Sequence, residues 1–387
     1  MNILFVPTKD PRLTNGGNEQ RTNLLWNSLK RYGRVYTFLL DESLGTNTEL
    51  IAGEHPIFRF HPIYKKKSIW YIVNVIFERL SIFSIFKCKT TKVPNPADVF
   101  AGVRFDIVVA RYIYSLCYSD YWRLAPLLID IDDHPDQVFA TVRSEHLPLV
   151  FRRLGKWLTS WQTDRIVSKS FGGWLANEEQ VELCGFNYFY LPNIPQKPSS
   201  NYAVNNQDRT NLFTVGAMGY KPNRDGVNFF LKEVWPEFHN LYPNVIYYIV
   251  GKGARDEDKA NWQKVDGVEY LGFVDNIEIL YQNVLATVVP IYSGGGTCIK
   301  TLESMSHSRI CLSTKFGARG LPIEVMEKKE GILIFEDSKS FIEAYELISN
   351  SEYRECKEKL GQEVVSNYFS SDSFNRAVDE LVKNFID

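Results

Sequence analysis

The feature that most constrains the fold is an alternation of short apolar runs with longer amphipathic segments, repeated along the 387-residue chain. Runs such as IVVA (107–110) and LLI (127–129) are apolar throughout. Continuous apolar runs are expected of parallel strands, which are buried on both faces. Strands that alternate with helices are typical of βαβ units. The sequence therefore predicts an α/β fold built on parallel sheets.

The predicted strands form two series, separated by the proline-rich segment Pro192–Gln207, which is typical of a linker. The first series comprises Ile3–Val6, Val35–Leu40, Asp106–Ala110, Leu127–Asp132, Arg165–Ser168 and Tyr188–Leu191. The second comprises Leu212–Val215, Val245–Val250, Val268–Phe273, Ala286–Pro290, Ile310–Thr314 and Ile332–Phe335. Helices are expected between them, for example at Glu19–Arg31 and Leu149–Gln162. Two doubly wound domains are therefore predicted, over 1–194 and 211–365, with a linker at 195–210. A helical tail over 366–387 is a candidate for packing back on the N-terminal domain.

Composition excludes several classes of protein. The chain has 44 Lys and Arg against 46 Asp and Glu, with 44% hydrophobic residues, which excludes a disordered, collagen-like or polytopic membrane protein. A net charge of −2 argues against a nucleic-acid partner. Six scattered cysteines without a CxxC pair fit a reducing compartment, and the opening MNILFVPTKD lacks the pattern of a signal peptide. We expect a cytoplasmic protein.

The segment 69–86, IWYIVNVIFERLSIFSIF, is strongly apolar and is flanked by lysines. Glu78 and Arg79 interrupt it, and it is short for a membrane-spanning helix. One interpretation is a buried helix of the first domain. The other is an interfacial helix on an anionic membrane, aided by Lys65, Lys66 and Lys67, which predicts a peripheral membrane contact through 65–89.

The densest chemical signal follows the predicted strand that ends at Pro290. Gly294, Gly295 and Gly296 precede a helix that begins near Thr297. Glycines allow a ligand to approach the backbone, and the free N–H groups of a helix start favour an anion. The alternative is a glycine-rich turn without a ligand.

Lys300 and Glu303 follow these glycines in the first turns of the predicted helix. They are three residues apart and so lie on the same side of it. Lys300 is suited to contact a phosphate, and Glu303 to accept two hydrogen bonds from ribose hydroxyls. The alternative is a solvated ion pair between the two side chains.

Two features of the first domain are further candidates. Arg21 lies one turn into the first helix and is either a phosphate or acceptor ligand or a solvated surface residue. The run IDIDDHPD places Asp130, Asp132, Asp133 and His134 at the carboxyl end of a strand, where doubly wound folds bind ligands. We favour a functional role for Asp133 and His134 over a helix-capping role.

The run GGGTCIKTLESM (294–305) resembles the donor-binding signature of retaining nucleotide-sugar glycosyltransferases of the group-one, or family-four, class. VGAMGYKPNRDGVNFFLKEVWP (215–236), YYIVGKG (247–253) and VEYLGFVDNIEILYQNV (268–284) resemble other parts of that domain, in the same order. The resemblance is strong over about 211–320 and weaker elsewhere, including NGG at 15–17 and LPN at 191–193. Ordered motifs are more specific than any single one.

The resemblance implies two Rossmann-like domains that face each other across a cleft, the GT-B fold. Domain 1–194 would hold the acceptor and domain 211–365 the nucleotide-sugar donor. The implied donor-binding residues are Gly16, Gly17, Arg21, Gly216, Lys221, Arg224, Gly251, Phe273, Gly294, Gly295, Gly296, Thr297, Lys300 and Glu303. The implied catalytic residues are Lys300, Asp133 and His134. Members of this class typically need no metal, and we expect no cofactor beyond the nucleotide diphosphate sugar that serves as substrate.

Two positions depart from the usual signature. The first of its two glutamates falls at Gly295, and the second matches Glu303. Ala217 stands where many members carry an arginine, and only Lys221 and Arg224 offer charge nearby. A subgroup with a GGGT-type loop shares both departures, so we interpret them as a variant site. They leave the transferred sugar open.

The expected function is that of a metal-independent retaining hexosyltransferase. It would move a sugar to a glycan or lipid-linked acceptor in cell-surface polysaccharide or glycoconjugate synthesis, in the cytoplasm or on the inner face of the cytoplasmic membrane. One alternative is a nucleotide-sugar 2-epimerase on the same fold. Another is a non-catalytic nucleotide-sugar-binding partner of a transferase, as the glycine at position 295 would allow. A dehydrogenase is disfavoured because no GxGxxG opens the first domain.

Overall fold

The computed structural model describes residues 1–14, 16–40, 48–60, 93–117, 121–135, 148–182, 184–185, 187–199, 209–294 and 297–386. The chain divides into two compact units. One comprises Met1–Pro192 with Ser371–Asp387, and the other Asn193–Ser370. The apolar segment 69–86 and its flanking lysines lie outside the described residues, and so does most of the predicted linker. Both interpretations of 69–86 therefore stay predictions.

The first unit contains a sheet of eight strands. They are β1 (Asn2–Val6), β2 (Arg34–Leu40), β3 (Glu49–Ile51), β4 (Ile57–Phe60), β5 (Ile107–Arg111), β6 (Leu127–Asp132), β7 (Gly172–Leu175) and β8 (Tyr188–Tyr190). Their spatial order is β3-β4-β2-β1-β5-β6-β7-β8, and every pair is parallel except β3 with β4. The predicted parallel sheet is thus confirmed for this unit.

The helices of the first unit are α1 (Gly17–Leu29), α2 (Pro96–Val99), α3 (Leu149–Val167), α4 (Glu178–Val181) and the C-terminal α13 (Ser371–Ile386). Single 3-10 turns occupy Lys30–Tyr32, Ile113–Cys117 and Tyr121–Arg123. Helix α13 packs beside α1, because Ser28 donates a hydrogen bond to Asn375 and Arg31 pairs with Asp379 at 2.6 Å. The last helix of the chain therefore completes the first unit.

The strand predicted at Arg165–Ser168 is wrong, because these residues form the end of helix α3. Buried residues in α3 recur at Gly155, Thr159, Gln162 and Ile166, which is the spacing of one helix face. The apolar pair Ile166-Val167 inside the predicted strand belongs to the last turn of this helix. The true strand, β7, begins with two glycines and so lacks the β-branched signal of a strand. Strands β3 and β4 are three and four residues long and were also missed.

The second unit contains a sheet of six parallel strands. They are β9 (Leu212–Val215), β10 (Tyr247–Val250), β11 (Val268–Gly272), β12 (Ala286–Val289), β13 (Ile310–Ser313) and β14 (Ile332–Ile334). Their spatial order is β11-β10-β9-β12-β13-β14. Numbered within the unit, this is 3-2-1-4-5-6, the order of a doubly wound Rossmann-like sheet. All six strands lie where the sequence predicts them.

Among the described residues of the second unit, eight helices lie between these strands or after the last of them. They are α5 (Lys221–Glu233), α6 (Trp235–Leu241), α7 (Asp256–Trp262), α8 (Ile277–Asn283), α9 (Ile299–Ser306), α10 (Ile323–Glu327), α11 (Ser338–Ser349) and α12 (Ser351–Tyr368). The core on one face of the sheet is rich in aromatic rings. Phe230 lies 5.1 Å from Tyr247 and 5.0 Å from Phe341 between ring centroids, and all three are fully buried.

Within the described part of the chain, no helix has both the length and the hydropathy needed to cross a membrane.

Candidate active site

The candidate donor site lies at the carboxyl ends of β9 and β12, where the strand order of the second unit reverses. Doubly wound sheets bind ligands at this reversal, because the loops from the two central strands diverge there. Gly216 directly follows β9, and the loop that contains Gly294 follows β12. Helix α9 begins just after that loop and carries Lys300 and Glu303 in its first turns. The strand order thus brings four of the predicted site residues to one edge of the sheet.

Lys300 is held at this edge by Asn223 of helix α5. The Lys300 ammonium donates to Asn223 Oδ1 at 3.0 Å, and Asn223 Nδ2 donates to the carbonyl of Ala217 at 2.9 Å. The side chain of Lys300 passes over Gly216, where an added Cβ would lie 2.7 Å from Lys300 Cε. Asn223 is buried, and the sequence analysis did not single it out. The only sequence feature that indicated Asn223 was its place in the Pro-Asn pair at the start of α5.

The backbone under the site is closely packed at Gly251, which follows β10. Its φ of +134° belongs to a region that favours glycine, and an added Cβ would lie 1.7 Å from the carbonyl oxygen of Gly216. The Gly251 N–H donates to the carbonyl of Gly272, which ties the ends of three strands together. Gly251 therefore supports the position of Gly216, whatever contact it makes with a ligand.

Substitution of Gly251 by alanine should destabilise the protein by about 1–3 kcal/mol, the usual cost of overpacking. The physical reason is the collision of the new methyl group with the Gly216 carbonyl. Denaturant unfolding of the variant and of a Gly102→Ala control measures the difference. Gly102 also has positive φ, but an added Cβ there meets no heavy atom within 4 Å. Equal stability of the two variants would contradict the close packing at Gly251.

The loop after β12 has a basic side chain beside it that the sequence analysis missed. Gly294 has a φ of +136°, and an added Cβ there would lie 3.4 Å from Arg319 Nη2 and 3.8 Å from the Tyr220 hydroxyl oxygen. Arg319 is oriented by its hydrogen bond from Nη1 to the Phe316 carbonyl at 2.8 Å. The run GARG after β13 was the only sequence signal for it. Gly295 and Gly296 lie outside the described residues, so their predicted contacts stay predictions.

Thr297 and Glu303 complete this part of the site. Thr297 is buried, and its side chain lies against Gly320. Glu303 is partly exposed, and burial of its carboxyl group raises its pKa to about 7, against the opposing charge of Lys300. Burial penalises the charged form of a carboxyl group, and hydrogen bonds from a ligand would offset that cost. This is the environment expected of a group that gains hydrogen bonds from a ligand.

Three other predicted donor residues have their own surroundings. Lys221 forms an ion pair with Asp225 one turn along the same helix. Arg224 Nε lies 3.5 Å from Asp258 Oδ2, so its carboxylate partner belongs to α7 rather than to the loop after β12. Phe273 is largely exposed beyond the end of β11, with Lys252 Nζ 5.5 Å from its ring centroid. Their predicted contacts with a donor stay predictions.

The first unit holds a buried charge network at the carboxyl ends of β5 and β6. Arg21 contacts Asp130 through both Nη2, at 2.7 Å, and Nε, at 3.0 Å, and it donates to the carbonyl of Leu191 at 2.8 Å. Arg111 joins Asp130 to Asp132. The interpretation of Arg21 as a solvated surface residue is therefore wrong. Its side chain joins α1 to β6 and to the loop after β8.

The ends of β5 and β6 also depart from ordinary backbone geometry. Tyr112 has a φ of +66° and Asp132 a φ of +67°, and the Tyr112 hydroxyl lies 3.1 Å from Asp132 Oδ2. Burial alone would raise the pKa of Asp132, but the charges of Arg111 and Arg21 outweigh it and lower that pKa. Such backbone strain persists only where the surrounding structure holds it, and it is concentrated at functional sites.

The other candidates of the first unit lie close to this network in sequence. Gly16 is the N-cap of α1, and Gly17 is the first residue of that helix. Asp133 is partly exposed. His134 is buried, and its backbone N–H donates to Gln180 Oε1 at 2.7 Å. Their catalytic and donor-binding roles stay predictions.

Among the described residues, no group of three or more His, Cys, Asp or Glu side chains is placed to hold a metal ion.

Comparison with known proteins gives a family match for most of the second unit. Residues 209–350 match the family model described as Glycosyl transferases group 1. This range contains β9 to β14 and every candidate of the second unit. No curated protein matches the chain in sequence.

Solved structures resemble the chain over its whole length. A sucrose-phosphate synthase from Thermosynechococcus elongatus has a TM-score of 0.67 at 14% identity, with 100% of this chain and 99% of that chain covered. WaaG, a glycosyltransferase involved in lipopolysaccharide biosynthesis, has a TM-score of 0.62 at 12% identity, with 98% and 99% covered. HepE from Anabaena, in complex with UDP, has a TM-score of 0.60 at 13% identity, with 99% and 100% covered. These likenesses establish the α/β fold of the GT-B glycosyltransferases.

Proposed function

We propose that this protein is a retaining, metal-independent glycosyltransferase that uses a nucleotide diphosphate sugar as donor. The observation that carries the proposal is the placement of Lys300. Asn223 holds its ammonium at the strand-order reversal of a Rossmann-like unit, in the first turn of helix α9. The match of residues 209–350 to group 1 glycosyl transferases supports the same conclusion.

The chemistry requires stabilisation of the leaving diphosphate. The bond between the sugar C1 and the phosphate oxygen breaks, and negative charge develops on that oxygen. Lys300 and the N-terminal amides of α9 offer positive charge at this edge of the sheet, and Arg319 beside Gly294 offers more. A preorganised cation stabilises the transition state more than the ground state, because its attraction to the phosphate oxygen strengthens as negative charge forms there.

The rest of the reaction is proposed from the family resemblance. The acceptor hydroxyl attacks C1 from the face that the leaving group departs, so that the anomeric configuration is retained. The proton of that hydroxyl passes to an oxygen of the leaving phosphate, which balances the step without a separate base. Asp133 and His134 are the first-unit residues proposed to act beside the acceptor.

The substrates belong to the proposal as well. Glu303 would accept hydrogen bonds from the donor ribose, and the presence of UDP in the HepE structure makes UDP-sugars the first donors to try. We propose a glycan or lipid-linked acceptor in cell-surface polysaccharide or glycoconjugate synthesis. A cytoplasmic location at the inner face of the membrane and a contact through 65–89 are proposed with it.

Incubation with a panel of nucleotide sugars tests the proposal. We expect release of free nucleotide diphosphate from at least one donor, and much less release by the Lys300→Ala variant. An isomerised sugar still attached to its nucleotide would identify an epimerase instead. Binding of the donor by calorimetry, without turnover even when glycan and lipid-linked acceptors are supplied, would identify a non-catalytic partner.

A further inference from the structure

Helix α3 of the first unit carries a stripe of exposed apolar side chains. Val150 is 75% exposed, Leu154 45%, Trp157 62% and Trp161 42%. These residues stand at i, i+4, i+7 and i+11, so they form one line along the helix. Two tryptophans and two aliphatic residues in a line are unusual for a surface in contact with water.

The stripe is separate from the side of α3 that packs on its own unit. Thr159 and Thr163 are fully buried, and Ile166 nearly so. These buried positions lie on the opposite side of the helix from Trp157 and Trp161, at 100° per residue. The core of the first unit therefore accounts for one face of α3 and leaves the apolar stripe on the other.

Basic side chains border the stripe on both flanks. By position on the helix, Arg153 lies on one flank and Arg165 on the other, and both are exposed. The guanidinium of Arg165 lies 5.7 Å from the Trp161 ring centroid. Arg152 and Lys156 lie further round the helix, away from the stripe, and bring its basic residues to four. Its one acidic residue, Asp164, lies on the same flank as Arg153. The exposed face of α3 is therefore apolar and is bordered by more basic than acidic side chains.

We propose that this face of α3 docks on an anionic lipid membrane. An interfacial helix has an apolar face that enters the boundary of the headgroups and acyl chains, with basic residues beside it that contact lipid phosphates. Tryptophan is enriched at that boundary. The basic residues on both flanks of the stripe complement the negative charge of such a surface. This surface is distinct from the segment 65–89, and the inference does not depend on glycosyl transfer.

Vesicle binding by the full-length protein tests the inference. We expect sedimentation with vesicles of phosphatidylcholine and phosphatidylglycerol, much weaker binding to phosphatidylcholine alone, and a blue shift of tryptophan fluorescence on binding. Trp157→Gln should weaken binding by about tenfold, and Arg153→Gln by about fivefold. Leu241→Gln is the control, because Leu241 is exposed at the end of α6 in the second unit.

Three results would overturn the inference. The first is no binding of the wild type to anionic vesicles. The second is unchanged binding by a Trp157→Gln, Trp161→Gln double variant whose circular dichroism and melting temperature match the wild type. The third is a wild-type dimer that Trp157→Gln converts to a monomer without any vesicle binding, which would assign the stripe to a second copy of the chain. Replacement of Lys65, Lys66 and Lys67 by glutamine tests the other segment separately.

Discussion

Replacement of Lys300 by alanine should lower turnover about 10²–10³-fold, which corresponds to about 2.7–4 kcal/mol of transition-state stabilisation. The reason is that a charge-assisted contact to the leaving phosphate strengthens as the sugar–phosphate bond breaks. The measurement is nucleotide diphosphate release at saturating donor. Because the loss occurs mainly in the transition state, kcat should fall much more than the donor affinity.

Two variants make this result specific to the position of the charge. Lys232→Ala removes an exposed lysine from the end of α5, where it pairs with Glu233, and should leave turnover unchanged. Asn223→Ala keeps the charge of Lys300 but removes the side chain that holds it, so a smaller loss is expected. Near wild-type turnover of Lys300→Ala would remove this residue from the mechanism.

Replacement of Glu303 by glutamine should make the free protein more stable above pH 7. The ordinary carboxyl pKa of 4.5 is raised to about 7 by burial, so the folded state binds more protons than the unfolded state between these values. Stability therefore falls as pH rises through this window, by about 3 kcal/mol in total, since one pKa unit is worth about 1.36 kcal/mol. Glutamine removes that dependence, and unfolding curves at pH 5 and pH 8 measure it.

The same variant should bind a nucleoside diphosphate more weakly. Hydrogen bonds to a charged group are worth about 1.5–3 kcal/mol, so loss of the carboxylate charge should reduce affinity by about tenfold to a hundredfold. Calorimetry at pH 8 with free diphosphate and with intact donor should show similar losses, since both contain the ribose. Glu327→Gln, at an exposed site on α10, is the matched control.

The stability and binding measurements together separate the burial of Glu303 from its contact with a ligand. Weaker binding together with higher stability places the ribose at a carboxylate that is costly to bury in the free protein. A stability gain with unchanged nucleotide affinity would show that the carboxyl group is buried but does not contact the ribose. The assignment of the donor site from the family resemblance would then need revision.

The sequence by itself determined the order of the strands along the chain and their parallel character. A continuous apolar run predicts a parallel strand strongly, because a strand buried on both faces has no polar residues at alternate positions. Strands β12 and β13 of the second unit, which are buried throughout, were predicted correctly for this reason. Strand β7 was not, because Gly172 and Gly173 carry no side-chain signal, and the strand predicted at Arg165–Ser168 is the end of a helix.

Local spacing also placed Lys300 and Glu303 together, because residues three apart on a helix share a side. Only the tertiary structure decided what surrounds them. Asn223 is 77 residues from Lys300 in the chain, and Arg21 is 109 residues from Asp130. Contacts over such separations depend on the order of strands in the sheet, which no local pattern encodes. The same limit applies to the outward stripe of α3. Its buried side is mostly small or polar, with Gly155, Thr159 and Thr163, so only the packing shows that the apolar line faces outward.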